Sequence, residues 1–184
     1  HGNPEIPNYT ASISPNGLRC AAEVADGVFP MMTNPENFDE VYLPYLEEGF
    51  AKAGGGKSLS DFAVVAGATV IVSDDLEKAR MPVKMLLALY IGGMGARGKN
   101  FYNDYAKRLG YEEEAVKIQD LYLAGDKGAA TAAVPDRLVD ETALTGPKEK
   151  IVERLQAWKS SKVSEMLIGC QQPEALQLLA ETVL

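Results

Sequence analysis

The chain has few of the residues that build metal and hydrolytic centres. Its one histidine is His1, which excludes His-based metal sites and a Ser-His-Asp triad. Two cysteines, Cys20 and Cys170, stand without a CxxC partner and are too few for a disulfide framework. They are expected to be buried free thiols in a reducing cytoplasm. Basic residues are outnumbered 18 to 26, giving a net charge of -8, which argues against nucleic acid or an anionic membrane as partner. No apolar run is long and uninterrupted enough to span a bilayer, and the first residues show no signal-peptide pattern. A cytoplasmic protein is the expectation. Repeats and low-complexity tracts are absent from the sequence.

What remains is ordinary for one globular domain. At 184 residues, 46% of them hydrophobic and 24% charged, the chain can bury roughly two-thirds of its unfolded surface. The acidic residues gather at helix-like positions such as Glu47, Glu48 and Glu112 to Glu114, which read as solvated faces.

Strand and helix signals alternate from the outset. An apolar strand over about 8–13 runs into Ser14-Pro15-Asn16-Gly17, where Ser14 or Asn16 can cap a helix with Pro15 in its first turn. Leu18, Ala21, Ala22 and Ala25 put a small apolar stripe on that helix, and Gly27 closes it. A second strand over 28–31 follows, then a helix starting at Asn34-Pro35 and broken near Pro44. Residues 62–72 are apolar and β-branched, a buried strand of the parallel type. Asp74 and Glu77 have capping-box spacing, and Pro82 predicts a kink or restart in the helix they open. A helical stretch over about 75–140 precedes a helix after Gly146-Pro147, a strand over 163–168 and a closing helix from Pro173 to Val183. Four strands, each followed by a helix, imply a parallel α/β sheet. A small doubly wound sheet and half of a (β/α)8 barrel both fit.

In either architecture a ligand sits at the carboxyl ends of the strands. That rule selects Ser12, Ile13 and Ser14, then Met31, Met32 and Thr33, then Ser73 and Asp74, and finally Cys170, Gln171 and Gln172. Ser14 to Gly17 would offer backbone amides to an anion, or would simply cap the helix. Gly93, Gly95 and Gly98 spell GxGxxG, but the residues before them have helical spacing, so the Rossmann context is missing. A plain loop, or one that brings Arg97 and Lys99 to an anionic ligand, is the better reading.

The run from Ile6 to Pro15 and the run from Ala21 to Val28 resemble the fifth and sixth strands of the bacterial-luciferase-like flavin and deazaflavin oxidoreductases. Leu89 to Tyr102 is similar to a segment of the branch that uses coenzyme F420, and Asp140 to Pro147 with the last strand resembles the end of the same barrel. The resemblance implies that the chain is the C-terminal half of a (β/α)8 barrel, with a helical insertion between the last two strands. It implies an oxidoreductase that passes hydride between coenzyme F420, or alternatively FMN, and a small organic substrate. Ser12, Ile13, Ser14, Met31, Met32 and Thr33 would hold the cofactor, and Arg97 and Lys99 the substrate or the acidic cofactor tail. No proton donor is identified, since the first four strands of the family would supply it. Ser12-Ile13-Ser14 departs from the small Ala or Gly residues usual at that turn. A start at His rather than Met agrees with a chain that begins inside a larger protein. Half a barrel would leave open strand edges and an apolar face, so it should pair with its missing half, form a homodimer or be unstable. The alternative is a non-catalytic binding or assembly module on the same scaffold.

Overall fold

The computed structural model describes residues 5–183. Strand β1 (Tyr9–Thr10) leads to helix α1 (Pro15–Val24), and β2 (Gly27–Val28) to a 3-10 turn at Pro35–Asn37 and helices α2 (Phe38–Val41) and α3 (Leu43–Ala53). Strand β3 (Ala63–Val72) is the longest. It is followed by α4 (Leu76–Ala88), a π turn (Leu89–Gly93), α5 (Phe101–Arg108), α6 (Glu112–Leu123), α7 (Lys127–Ala132) and α8 (Asp136–Thr142). Strand β4 (Leu144–Gly146), α9 (Lys148–Lys159), β5 (Glu165–Gly169) and α10 (Pro173–Val183) complete the order.

All pairings are parallel, and β3 is the hub. It meets β2 through Ala63 and Val64, β5 through Val65 to Thr69, and β4 through Val70 to Val72. Successive N–H groups of a strand point to opposite edges. The amides of Ala63 and Ser73 donate to Asp26 and Gly146, whereas those of Val64 and Val72 donate to the side chains of Ser164 and Gln172. Strands β2 and β4 therefore share one edge of β3, and β5 takes the other.

Alternation along β3 separates two faces. Ala66, Ala68 and Val70 pack under α9 and α10 with Ile151, Leu155, Trp158, Ala175 and Leu179. The opposite face carries Tyr9, Phe29, Val65, Gly67, Thr69, Glu165 and Leu167, and there Tyr9 is 42% and Leu167 55% exposed. The Tyr9 hydroxyl donates to Glu165 Oε1 at 3.4 Å. Those residues belong to strands three spacings apart, about 14 Å in a flat sheet. Their contact requires the sheet to curl around this face.

Several boundaries differ from the sequence reading. The first two strands end at Thr10 and Val28 rather than near 13 and 31, because Pro30 has no N–H for a ladder and Ser14 already caps a helix. The last strand is shifted to Glu165–Gly169, with the side chain of Ser164 taking the preceding ladder position. The sequence pattern does not reveal strand β4, and its presence puts the helical insertion between β3 and β4 rather than directly before the last strand. Ala25, not Gly27, ends α1, and Asp75, not Asp74, caps α4 by accepting from the Lys78 amide at 3.1 Å. Helix α4 runs continuously through Pro82, which stands on its exposed side, where solvent can satisfy the freed carbonyl. Cys20 is exposed rather than buried, since it lies about 200° around α1 from Leu18, and Cys170 is half-buried.

Candidate functional site

The carboxyl end of β1 turns sharply into α1. Ser14 has extended backbone angles, and its Oγ accepts from the Gly17 amide at 3.1 Å. A Cβ on Gly17 would sit 3.0 Å from both Ser12 Oγ and Ser14 Oγ. Glycine thus leaves a small cradle walled by two hydroxyls at the positive end of α1. Pro15 brings no N–H, and the Asn16 amide has no acceptor among the described residues. Ser12, Ile13 and Ser14 are half-buried, with the Ile13 side chain packed against the core. The arrangement suits an anionic oxygen, by hydroxyl donation and helix polarity together.

After β2 the chain folds differently. Met31 is half-buried, but Met32 is 8% exposed and Thr33 fully buried, so both belong to the core wall. Met32 has a φ of 51°, the one non-glycine residue in the left-handed region among those described. Its carbonyl accepts from the Tyr105 hydroxyl at 3.2 Å. The Tyr105 hydroxyl also pairs with that of Tyr42, while the Thr33 hydroxyl donates to the Pro30 carbonyl at 3.4 Å. Burial pushes the Tyr42 phenol up to about 12, and burial with the neighbouring Tyr42 pushes Tyr105 well above its usual value.

Helix α5 binds both loops. Arg108 Nη2 donates to the Ile13 carbonyl at 2.5 Å, one turn from Tyr105 on the same helix. Strands β3 and β5 end beside a cavity of about 570 Å³ lined by Thr69, Ile71, Pro82, Gly169, Cys170, Gln171 and Gln172. Ser73 Oγ accepts from the Asp75 amide, and Asp74 is exposed.

Arg97 and Lys99 stand apart from these loops. Arg97 donates to Asp120 on α6 at 2.8 Å, and Arg97 and Lys99 precede α5, at the end opposite Arg108. The glycines beside them serve packing: a Cβ at Gly92 or Gly93 would come within 2.6 Å or 2.4 Å of Tyr122. Asn100 caps α5 and donates to the carbonyls of Tyr90 and Ile91. The sequence reading passed over Tyr105 and Arg108, whose only local signal is a basic residue in the last turn of a helix. No group of three or more His, Cys, Asp or Glu is disposed to hold a metal ion among the described residues. None of the described helices is long and apolar enough to cross a membrane.

The parallel strands, the helical insertion and the loops at the strand ends agree with one family profile, luciferase-like monooxygenase, which matches residues 1–165. The chain belongs to that family. It is 33% identical over 179 residues, 97% of its length and 51% of the other's, to a Mycobacterium tuberculosis protein assigned by name to the coenzyme F420-dependent oxidoreductases. It is 28% identical over 188 residues to the 5,10-methylenetetrahydromethanopterin reductase of Archaeoglobus fulgidus, covering 97% of this chain and 54% of that one. The solved coenzyme F420-dependent tetrahydromethanopterin reductase from Methanopyrus kandleri superposes with a TM-score of 0.72 at 25% identity, over 97% of this chain and half of that one. An F420-dependent secondary alcohol dehydrogenase shares the fold, with a TM-score of 0.63 at 18% identity. The chain thus spans about half the length of the relatives it matches, and the shared architecture is that of a luciferase-like (β/α) barrel.

Proposed function

We propose that this chain forms the cofactor-holding half of an oxidoreductase that uses coenzyme F420, with FMN as the less favoured alternative, and acts on a small organic substrate. The observation that carries this reading is the cradle of Ser12, Ser14 and Gly17 at the N-terminus of α1, which fits a phosphate oxygen of such a cofactor and would be filled by any side chain at position 17. The names of the relatives support the choice of F420.

In this reading Ser12 and Ser14 donate to the phosphate, and Ile13 and Met31, half-buried against the core, offer the ring edge the apolar surface they leave exposed. Met32 and Thr33, turned into the core, fix the backbone on which Met31 stands. Coenzyme F420 when bound supplies the hydride-transferring carbon of its deazaflavin ring. The protein contributes orientation and the exclusion of water. The curled, partly apolar face of the sheet is to be covered by further strands of the same barrel, or by a second copy of the chain.

Titration with F420 and, separately, FMN, followed by the ring absorbance, tests the proposal. A saturable spectral change with F420 and a weaker one with FMN is expected. No change with either would sink the oxidoreductase reading and leave the non-catalytic binding or assembly role.

A further inference from the structure

Arg108 is a cation with an unusual set of partners. No carboxylate pairs with it among the described residues; its donors go to the main-chain carbonyls of Ile13 at 2.5 Å and Asp104 at 3.4 Å. Its Nε is buried without a partner, and its guanidinium lies 5.4 Å from the centre of the Tyr105 ring. Tyr105 in turn holds the carbonyl of Met32, the residue with left-handed backbone. One face of α5 therefore grips the main chain of two loops that are otherwise separated by the whole of α1 and β2. Carbonyl–guanidinium and carbonyl–phenol bonds fix where each loop's backbone lies without contributing a side chain to the site.

We propose that Arg108 is a positioning residue: it sets the Ser12–Ser14 turn, and through its cation–π contact with the Tyr105 ring keeps that turn in register with the Met31–Thr33 loop. This rests on the assignment of those loops to the cofactor. A guanidinium suits the task because its planar fork can stack on the ring while donating to the carbonyl. The helical insertion then does more than enlarge the barrel; its helix α5 is the strut that shapes the strand-end site.

The sequence offers an internal probe. Ile-Ser occurs only at 13–14 and Met-Thr only at 32–33. Labelling the full chain with carbonyl-13C Ile and 15N Ser, or with carbonyl-13C Met and 15N Thr, gives one amide correlation for each loop. Arg108→Met should shift and broaden the Ile13–Ser14 correlation in the absence of any ligand, and weaken F420 binding by about tenfold. Arg108→Lys, which keeps a donor for the carbonyl, should recover most of both. Tyr105→Phe, which removes only a hydroxyl, should shift the Met32–Thr33 correlation and covers the case in which Arg108→Met does not fold. An Ile13–Ser14 correlation unmoved in Arg108→Met, or a Met32–Thr33 correlation unmoved in Tyr105→Phe, overturns the inference. Failure of the unaltered protein to bind F420 overturns the cofactor reading instead, and the two correlations still decide whether α5 holds the loops.

Discussion

The carboxamide of Gln172 completes the hydrogen bonding of Val72: its Oε1 accepts from the Val72 amide at 2.8 Å, and its Nε2 donates to the Val72 carbonyl at 2.9 Å. At the other end of β3 the Ser164 hydroxyl does the same for Val64, at 2.8 and 3.2 Å. Side chains thus supplement the β5 ladder at both ends of β3, and Gln172 is one of the residues that line the cavity at the strand ends. Gln172→Ala leaves both Val72 groups without partners and should cost about 2 kcal/mol, read from urea unfolding followed by circular dichroism. Gln172→Glu keeps an acceptor but sets a carboxylate against the Val72 carbonyl, so a similar loss is expected. Unchanged stability in both variants would show that solvent replaces the clamp.

Gly17→Ala separates folding from binding. Alanine is favoured over glycine in a helix by about 1 kcal/mol, so the unfolding midpoint should hold or rise unless the two serines must move far. The added methyl, 3.0 Å from both hydroxyl oxygens, fills the cradle. Affinity for F420, or for inorganic phosphate as a simpler probe, should fall by about tenfold. Loss of stability without loss of affinity would place the cofactor elsewhere.

Asp140 ties three helices together, accepting from Arg80 on α4 at 3.0 and 2.6 Å and from Lys150 on α9 at 2.8 Å. Burial alone would raise its carboxyl, but Arg80 and Lys150 outweigh it and hold it below the usual range. With its folded value below the unfolded one, its contribution is full above about pH 4 and is lost as pH falls through the lowered value. Asp140→Asn should be about 2 kcal/mol less stable at pH 7, with the gap closing toward pH 2. A gap constant with pH would mean that the carboxylate's charge is not what stabilises the junction.

The tyrosine pair governs the alkaline limit. Tyr42 and Tyr105 are fully buried, and both phenols ionise above the unfolded value of about 10. Above that pH the unfolded chain releases protons that the folded chain keeps, so stability falls as pH rises, by up to about 1.4 kcal/mol per unit for each phenol. Absorbance at 295 nm should show these two of the eight tyrosines, together with Tyr111, whose phenol is likewise raised by burial and by its bond to Glu141, titrating only with unfolding, and Tyr105→Phe should make the decline shallower. Ionisation of all eight in the native state would contradict the burial.

Much of the scaffold is legible locally. The small apolar stripe of α1 and the β-branched run of β3 follow from neighbours a few residues away, and of the two caps the sequence offers, Ser14 and Asn16, the structure uses Ser14. Strand β4 is hidden because three residues are too few to show a period, and it pairs with Val70 to Val72, beyond the part of β3 that meets β2 at Ala63 and Val64. The glycine block shows the converse. Its motif is visible in the sequence, yet its purpose, close approach to Tyr122, depends on a helix about thirty residues further on.

The same division runs through the site. The sequence by itself determined which loops follow β1, β2, β3 and β5, since apolar runs and helix caps mark where those strands give way to helices, whereas the end of β4 carried no such signal. Only the tertiary structure decided which backbone each loop adopts, turning Met32 and Thr33 inward, and which side chains hold it. Arg108 to Ile13, Tyr105 to Met32 and Gln172 to Val72 span 95, 73 and 100 residues. Contacts of that length leave no local pattern, because they arise when packed helices bring a single donor to a single carbonyl.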